Sequence, residues 1–573
     1  MKSVKKTIVC ALLIIFSIPK AWGSDFLFNN YPDWVSSALN HVATGLGIAD
    51  INGDGWDDII VANGNDILRQ NLCAYYNQGD GTFPVQPSWS SADIDYHGHL
   101  AVGDVNADGF IDVAVSVFSG PDVFVQPGQV KIYYNTGGEL EAAPSFRSAD
   151  SMFTFSCALG DADGDGDLDL AVAGGQAYTI GVGPYKTYGR VYYNENGVFD
   201  ELPGWTSNVT MGALDVDFAD MDGNGYLDLI FANHLTPNYI FLADEGGAIA
   251  TVPGWKSADE SYYANSLTIA RITDDPYPDL IISDNRQLGG DGRYKAYFFS
   301  SRPGGKTHPS WQSASGGYGS AVIAEDLNAD GFIDLAAGRW WGRVEIYDGM
   351  DHQLSSEPAW SSVSSSVIEA FALRDLDQDG WQVETDTIRT GENDVHVLNL
   401  PAGGIERILG VAVNHSLLAA GTDYVHIPGT SWISTRMSVD NADFVEVTYI
   451  RSDDRDLVLT NWDRGKGNYM FYNQRRTTEV AEAMETEIAS HVHVFPNPFN
   501  SRTTIIYAIP VSGHVKIDIF NALGRKVATL ADAFQTAGTH RVVFDAHKFS
   551  SGTYFFRLTA GIMAEQRKLL LLK

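Results

Sequence analysis

The stretch DADGDGDLDL, Asp161 to Leu170, puts five aspartates and two glycines into ten residues and then continues as the apolar segment AVAG. Carboxylates packed this closely repel one another unless a cation neutralises them. Asp161, Asp163, Asp165 and Asp169 stand at positions one, three, five and nine of a loop, and Gly166 at position six makes the sharp turn. Hard cations take several oxygens in flexible geometry, so this spacing suits calcium, with a backbone carbonyl at position seven as a further ligand. An EF-hand would close with Glu at position twelve between two helices, whereas here the Asp at position nine leads directly into strand-type sequence.

The pattern recurs. DINGDGWDDIIVA starts at Asp50, DVNADGFIDVAVS at Asp104, DMDGNGYLDLIFA at Asp220 and DLNADGFIDLAAG at Asp326, with degenerate copies at Arg271 (RITDDPYPDLIIS) and Asp375 (DLDQDGW). Seven starts about 50 to 60 residues apart have the spacing of a propeller or solenoid unit. Two further series keep step with them: an aromatic pair at a strand end (Tyr75, Tyr133, Tyr192, Phe241, Phe298, Ile346, Phe471), and a Trp-Ser segment centred on Trp34, Trp89, Phe146, Trp205, Trp255, Trp311 and Trp360. Loop, apolar strand, aromatic strand and Trp-Ser segment predict four strands per unit. The first Trp precedes the first loop, and the last unit ends at Asn473 with no Trp after it, so the N-terminal strand is expected to complete the last blade. Such closure removes free sheet edges, which an open solenoid would cap with atypical end units instead. The expectation is an all-β, seven-bladed β-propeller over residues 25–473.

Composition narrows the partners. With 72 acidic against 38 basic residues the formal charge is −34, which argues against nucleic acid or anionic lipid and for bound cations. Residues 1–23 carry Lys2, Lys5 and Lys6, an apolar run from Ile8 to Ile18 and small residues at Ala21 and Gly23, and read as a secretory signal peptide. That run is too short for a membrane span, and no later segment is apolar enough for one. Cys73 and Cys157 fall in different repeats and read as small buried residues, not as a disulfide.

The units resemble the FG-GAP or VCBS repeats of integrin-α-like propellers, whose blades carry calcium loops. The resemblance implies ligands at Asp50, Asn52, Asp54 and Asp58; at Asp104, Asn106, Asp108 and Asp112; at Asp161, Asp163, Asp165 and Asp169; at Asp220, Asp222, Asn224 and Asp228; and at Asp326, Asn328, Asp330 and Asp334. The fifth loop departs, with Arg271, Thr273 and Pro276 at positions one, three and six; no metal is expected there, and Arg271 is expected to pair with Asp275 or Asp279. The seventh keeps Asp375, Asp377, Asp379 and Gly380 but has Val383 at position nine, and its blade strand resumes only at DRDLVLTNWD, where Asp456 is the expected closing carboxylate. Residues 381–455 between them read as an inserted small β-sandwich of immunoglobulin-like type. About five to six calcium sites are implied. Their repetition favours a structural role, since a catalytic metal is usually singular and keeps an open position.

Past a linker at 474–490, residues 491–573 show strand alternation with Pro496 and Pro498 at the entry and Gly at the turns, an independent β-domain read as an Ig-like β-sandwich. PNPFN at Pro496, IFNALGRKV at Ile519, SGTYFFRL at Ser551 and the basic-apolar end resemble the type A C-terminal sorting domain of the type IX secretion system. That resemblance implies the secretion machinery as a partner, passage across the outer membrane, and release or attachment at the cell surface.

If metal loops join the first and second strands, the loops between second and third strands lie on the opposite face. Those loops are long and carry Tyr178, Tyr185, Tyr188, Arg190, Arg286, Arg293, Arg339, Trp340, Trp341 and Arg343, with His97 and His99 nearby. Aromatic faces with a few polar donors suit a sugar chain or a peptide, although each of these aromatics would equally serve to pack blades together. Trp340 and Trp341 are singled out, because adjacent strand residues face opposite ways and cannot both be buried in one interface. GxSxG, HExxH and phosphate-loop signatures do not occur. The leading reading is an adhesion or glycan-binding module; the alternative is a polysaccharide lyase or hydrolase with a Tyr or His base and an Arg neutralising a uronate.

Overall fold

The computed structural model describes residues 26–474 and 492–573, apart from residues 38, 180–182, 259–262, 304–305, 390–394, 402, 441–442, 496–498, 501, 510–512, 522–524, 536–537 and 561–562. The signal-peptide reading, Pro496, Pro498 and nearly all of the 474–490 linker fall outside the described residues. Every regular element among the described residues is a strand.

The repeat maps onto the strands with a fixed register. Each metal-type loop leaves one apolar strand and enters the next at its ninth residue, so Ala49 pairs with Asp58, Gly103 with Asp112, Gly160 with Asp169, Ala219 with Asp228, Ala270 with Asp279 and Glu325 with Asp334. The result is a run of four-stranded antiparallel sheets, the first built from Ala43–Ala49, Asp58–Asn63, Cys73–Tyr75 and Trp89–Ser90. Outside the 381–452 stretch, seven such sheets occur between residues 34 and 471 among the described residues, a propeller-like repetition. The last contains Ile368–Arg374, Asp456–Asn461 and Tyr469–Phe471, and its outer strand is Trp34–Val35 from the other end of the chain.

The Trp-Ser marker explains the outer strand. That strand is only two residues long in most sheets, too short to hold itself by ladder bonds alone. Two residues after each marker a serine hydroxyl accepts an N–H from the start of the third strand or, for Ser207, from within it: Ser36 from Asn468, Ser91 from Leu72, Ser148 from Val130, Ser207 from Gly189, Ser257 from Asn238, Ser313 from Tyr294 and Ser362 from Val344. The indoles of Trp34, Trp205 and Trp255 bond carbonyls of loops beyond the sheet, Phe83, Ile249 and Lys306.

Separate apolar clusters fill the spaces between successive sheets. One joins Ala62 and Leu72 of the first sheet to Leu100 and Val113 of the second, and another joins Leu457 and Phe471 of the last to Ala336 and Ile346 of the sixth. A further cluster links the last sheet to the first, with Val458, Met470 and Trp34 against Ile59, Val61 and Tyr75. The first strands also contact one another in sequence, including Ile368–Arg374 against Ala43–Ala49. Cys73 and Cys157 are buried free thiols.

Residues 381–452 leave the seventh loop and form two sheets, one ordered Trp381–Ile388, Val445–Ser452, Ile405–Val413 and Ser416–Leu417, the other Val395–Asn399, Trp432–Val439 and Tyr424–Val425. Leu398, Val411, Ile433, Val447 and Tyr449 are among the residues of their common core. Beyond the linker, three- and four-stranded sheets share a core that includes Ile505, Tyr507, Ile517, Phe544, Phe556 and Leu569.

Trp34 is buried, edge-on to Tyr75 at 5.3 Å, and ties the first residues of the fold to the last sheet. Trp34→Ala is expected to lower unfolding free energy by about 3–5 kcal/mol, as for large buried aromatics. Urea unfolding measures this, and a loss under about 1 kcal/mol would show the N-terminal strand to be dispensable.

Candidate functional site

The loops share one internal geometry. In the first, Asp50 accepts the N–H groups of Asp54 and Gly55, Asn52 accepts Asp54 N–H and Asp54 accepts Trp56 N–H, all at 2.9–3.0 Å. The second, third, fourth and sixth loops repeat these bonds. The turn needs a left-handed residue at position six, which Gly55, Gly109, Gly166, Gly225 and Gly331 supply at φ between 84° and 94°.

Position nine has a second task. One carboxylate oxygen accepts the N–H of loop position two, and the other accepts an N–H just beyond the third strand. Asp112 takes Val105 and Asn135, Asp169 takes Ala162 and Asn194, Asp228 takes Met221 and Ala243, and Asp334 takes Leu327 and Gly349. Where the residue beyond the strand is Asn, its amide reaches the previous loop: Asn135 Nδ2 donates to Ile51 O at 2.7 Å, Asn194 to Val105 O at 2.7 Å, Asn473 to Leu327 O at 3.2 Å and Asn77 to Leu376 O at 3.0 Å. Neighbouring loops are thus chained together by the Asn of the YYN and FYN markers.

These carboxylates are buried, and burial pushes Asp58, Asp112 and Asp334 up to about 8, and Asp169 and Asp228 well above the usual carboxylate range. A negative charge there requires a compensating cation. The ligand-type oxygens of Asp161, Asp163 and Asp169, of Asp220, Asp222 and Asp228, and of Asp375, Asp377 and Asp379 lie within 4.8 Å of one another, close enough to share an ion. Several buried acidic clusters are therefore able to hold metal ions. In the first, second and sixth loops position three is Asn52, Asn106 or Asn328, whose amide oxygens accept the N–H of Asp54, Asp108 and Asp330; Asp50 and Asp58, Asp104 and Asp112, and Asp326 and Asp334 hold positions one and nine of these loops. Asp165 and Asn224 hold position five. Asp93, Asp95 and His97 also cluster, but Lys131 Nζ sits on both carboxylates and occupies the place of a cation.

The fifth loop solves its charge differently. The Thr273 hydroxyl lies 3.1 Å from Asp275 and 3.2 Å from Asp279, whereas the exposed Arg271 makes no ion pair with either among the described residues. The expected Arg271 pairing is replaced by a hydroxyl because the arginine stands at the solvent edge of the loop.

The 381–452 sheets lie over these loops, which the sequence did not indicate. Ser434 Oγ donates to Asp161 Oδ2 at 2.6 Å, Asn399 Nδ2 to Asp220 Oδ2 at 3.3 Å, and Arg436 pairs with Asp167 at 2.7 Å. His396 and Val397 donate to Gly225 O. Beneath them is a cavity of about 1040 Å³ lined by first strands of all the sheets, by 399–405 and 427–432, and by the fifth and sixth loops.

Among the described side chains, His99 is the one residue of the expected ligand set that lines this cavity. Its Nδ1 is 3.9 Å from Asp215. His97, displaced by irregular strand register, is buried with Nδ1 3.1 Å from Asn63 O, and burial lowers it to about 4. Arg190 is paired with Asp150 at 2.6 Å, Arg339 with Glu345 at 3.0 Å, and Arg286 bonds Asp291 O of its own loop. Tyr188 and Arg343 are exposed and Arg293 is half-buried. The side chains of Tyr178 and Tyr185 lie outside the described residues. Trp340 is 6% exposed and donates to Glu369 Oε2 at 2.6 Å, whereas Trp341 is 61% exposed, at φ 53°, edge-on to Tyr318 at 5.7 Å. Trp340 packs against Trp462 with the rings tilted and their centroids 5.2 Å apart, so Tyr318 and Trp462 are neighbours the sequence did not single out.

The family model for FG-GAP-like repeats matches residues 50–115 and 120–172, and that for the secretion system C-terminal sorting domain matches residues 493–572. The chain carries FG-GAP-like repeats and a type IX sorting domain, which directs export to the cell surface or extracellular space and implies contact with the secretion system. It is similar to integrin alpha-3 of Mus musculus, 30% identical over 118 residues, and to integrin alpha-7 of Homo sapiens, 37% identical over 109 residues. Each alignment takes in 18% of this chain and 10% or 9% of the relative, so the chain matches about a tenth of their length. The solved structure of BBS1N in complex with ARL6DN, soaked with lead, aligns over 78% of this chain and 98% of that one, at 11% identity and a TM-score of 0.32, too low to bear on fold or function. No helix among the described residues is long and apolar enough to cross a membrane.

Glu369 gives a pH test away from the loops. Burial raises its pKa from 4.5 to about 8, so the folded state favours the protonated acid. Its stabilisation is full below pH 4.5 and is lost as pH rises through 8. Glu369→Gln keeps an acceptor for Trp340, and its melting temperature is expected to fall less than the parent's between pH 5 and 8. Parallel melting curves would refute the assignment.

Proposed function

We propose that the chain is a secreted, calcium-loaded adhesion or glycan-binding module built on a closed, seven-bladed β-propeller. Closure is supported by the pairing of Trp34–Val35 with Tyr469–Met470 and by the apolar cluster joining last sheet to first. On this reading residues 25–473 are the propeller, 381–455 an inserted β-sandwich, 474–490 a linker and 491–573 an Ig-like sorting domain.

Calcium is the cation that the donor set favours: carboxylate and amide oxygens, no nitrogen or sulfur, in turns able to adapt to variable coordination. Asp50, Asp104, Asp161, Asp220 and Asp326, with the third, fifth and ninth residues of each loop, would hold it. The ion would neutralise buried charge and fix the turn. Removing it with a chelator is expected to lower the melting temperature, with recovery on adding calcium; each site contributes about 2.7 kcal/mol when calcium is at 100 times its Kd. Unchanged melting would contradict calcium loading.

The observation that carries ligand binding is Trp341. A bulky residue in left-handed backbone is costly, and here it turns the indole outward beside Tyr318 on the face away from the metal loops, above the anchored Trp340 and Trp462. Exposed aromatic faces on a rigid base suit sugar rings. Trp341→Ala is expected to lose at least tenfold in retention on whichever of a polysaccharide panel binds the parent, with melting unchanged. Equal retention would remove Trp341 from the site.

A further inference from the structure

The first strands of the seven sheets touch one another in succession around the cavity of about 1040 Å³, and the insertion lines its loop end with Leu400, Ile405 and Ile427. Much of the wall is apolar, with Ala101, Ile323 and Phe371 along the strands. Its charge is lopsided, because nine acidic residues line it against four arginines. Three of the arginines are already paired, Arg374 with Glu406, Arg451 with Glu384 and Arg455 with Glu325, and Arg271 stands at the exposed edge of its loop. His99 adds no charge, since burial holds its imidazole below the usual range.

Four of the carboxylates stand on the first strands at different depths. Counted back from the loop that follows, Glu369 is six residues before Asp375, Asp215 five before Asp220, Asp217 three before it and Glu325 one before Asp326. At about 3.3 Å per strand residue, this spreads negative charge over roughly 16 Å of the wall. None of the four belongs to a set of three ligand-type groups close enough to share one ion among the described residues, so a compact metal ion does not answer them. Glu369 points independently to a ligand. It is 0% exposed, Trp340 holds its Oε2 at 2.6 Å, and no donor meets its Oε1. Asp217 is half-buried and takes Phe218 N–H at 2.8 Å on one oxygen, whereas Asp215 is better served, by the Ser156 hydroxyl at 2.7 Å and Leu267 N–H at 2.9 Å. Burial pushes Glu369 up to about 8 and Asp217 up to about 7, a cost that positive charge in the cavity would lift.

We propose that this cavity binds a linear organic cation of the polyamine class, with ammonium groups set against Glu369 and Asp217 and methylene segments against the apolar wall between them. Ammonium groups separated by short methylene runs match carboxylates staggered along one direction, and the methylenes lose water against Ala101, Ile323 and Phe371. Asp215 and Glu325 add negative potential at either end. A cavity at the upper end of the usual small-molecule range, about 300–1,000 Å³, encloses such a chain, and the covering insertion favours a free small molecule over a side chain of another protein. The site is separate from the aromatic face at Trp341 and depends on neither the calcium nor the glycan reading.

Isothermal titration of the full chain with spermidine tests this. Because the chain carries a formal charge of −34, the titration is run in salt on the order of 0.3 M, which screens exposed charges. The expected result is one spermidine per chain, bound at least tenfold more weakly by Asp217→Asn and by Glu369→Gln and equally well by Asp122→Asn, a change at an exposed carboxylate outside the cavity. A series of diamines with equal charge and increasing spacer is titrated into the parent alongside. Carboxylates at fixed depths select one length, at least tenfold tighter than the shortest diamine, whereas attraction to the surface depends on charge alone. No saturable binding, unchanged affinity in either cavity variant, or no preference for length would overturn the site. Should both cavity variants fail to fold, the diamine series decides alone.

Discussion

One carboxylate at the end of each loop holds two parts of a sheet at once. The position-nine Asp takes an N–H from the start of its own loop and another from the end of the third strand, and so locks turn, second strand and third strand into one register. Since two N–H donors offset only part of the cost of burying a charged carboxylate, the charged form calls for a cation in the same place. The aspartates that looked excessive in sequence are the consequence. The Asn beyond the third strand passes the constraint to the preceding loop, and this link is present at Asn77, Asn135, Asn194 and Asn473. In the fourth, fifth and sixth sheets the position is Ala243, Phe299 or Gly349; the N–H bond persists there but the amide link does not.

The insertion uses the same loops as a platform. It arises where the repeat is interrupted and lies across the third and fourth loops through Ser434, Arg436 and Asn399. The cavity of about 1040 Å³ beneath it is bounded by the fifth and sixth loops, neither of which these side chains reach. The exposed aromatic residues Tyr318 and Trp341 lie at the other ends of the strands, so the acidic and aromatic faces are free to serve separate ends.

Much of this was legible because the period is short and its chemistry is local. The Asp at position nine opens a strand in each regular loop, and the serine after each Trp marker reaches the third strand of its own sheet. Contacts between residues far apart in sequence were not legible. Nothing in the run containing Ser434 says that it will meet Asp161, and the fate of Trp340 depends on Glu369, 29 positions away. Trp340 and Trp341 were expected to part as adjacent strand residues, but the strand ends at Arg339 and both lie in the turn beyond it; the left-handed backbone of Trp341 and the Glu369 acceptor for Trp340 on a neighbouring sheet separate them instead. Arg271 was read as a replacement cation by charge alone, yet Thr273, closer to the carboxylates, takes the role through hydrogen bonds. Asp454 passed unnoticed in RSDDRD because its neighbours are charged as well; only the fold gives it buried oxygens with no donor.

The central claim is that cations in the loops complete the lock made by the position-nine carboxylates. Anomalous diffraction from crystals of the chain grown with terbium tests it most directly. The account expects peaks inside the first, second, third, fourth and sixth loops, each within bonding distance of the position-one and position-nine aspartates, and none at Thr273 in the fifth. Peaks confined to the surface, or an ion in the fifth loop with the regular loops empty, would contradict it.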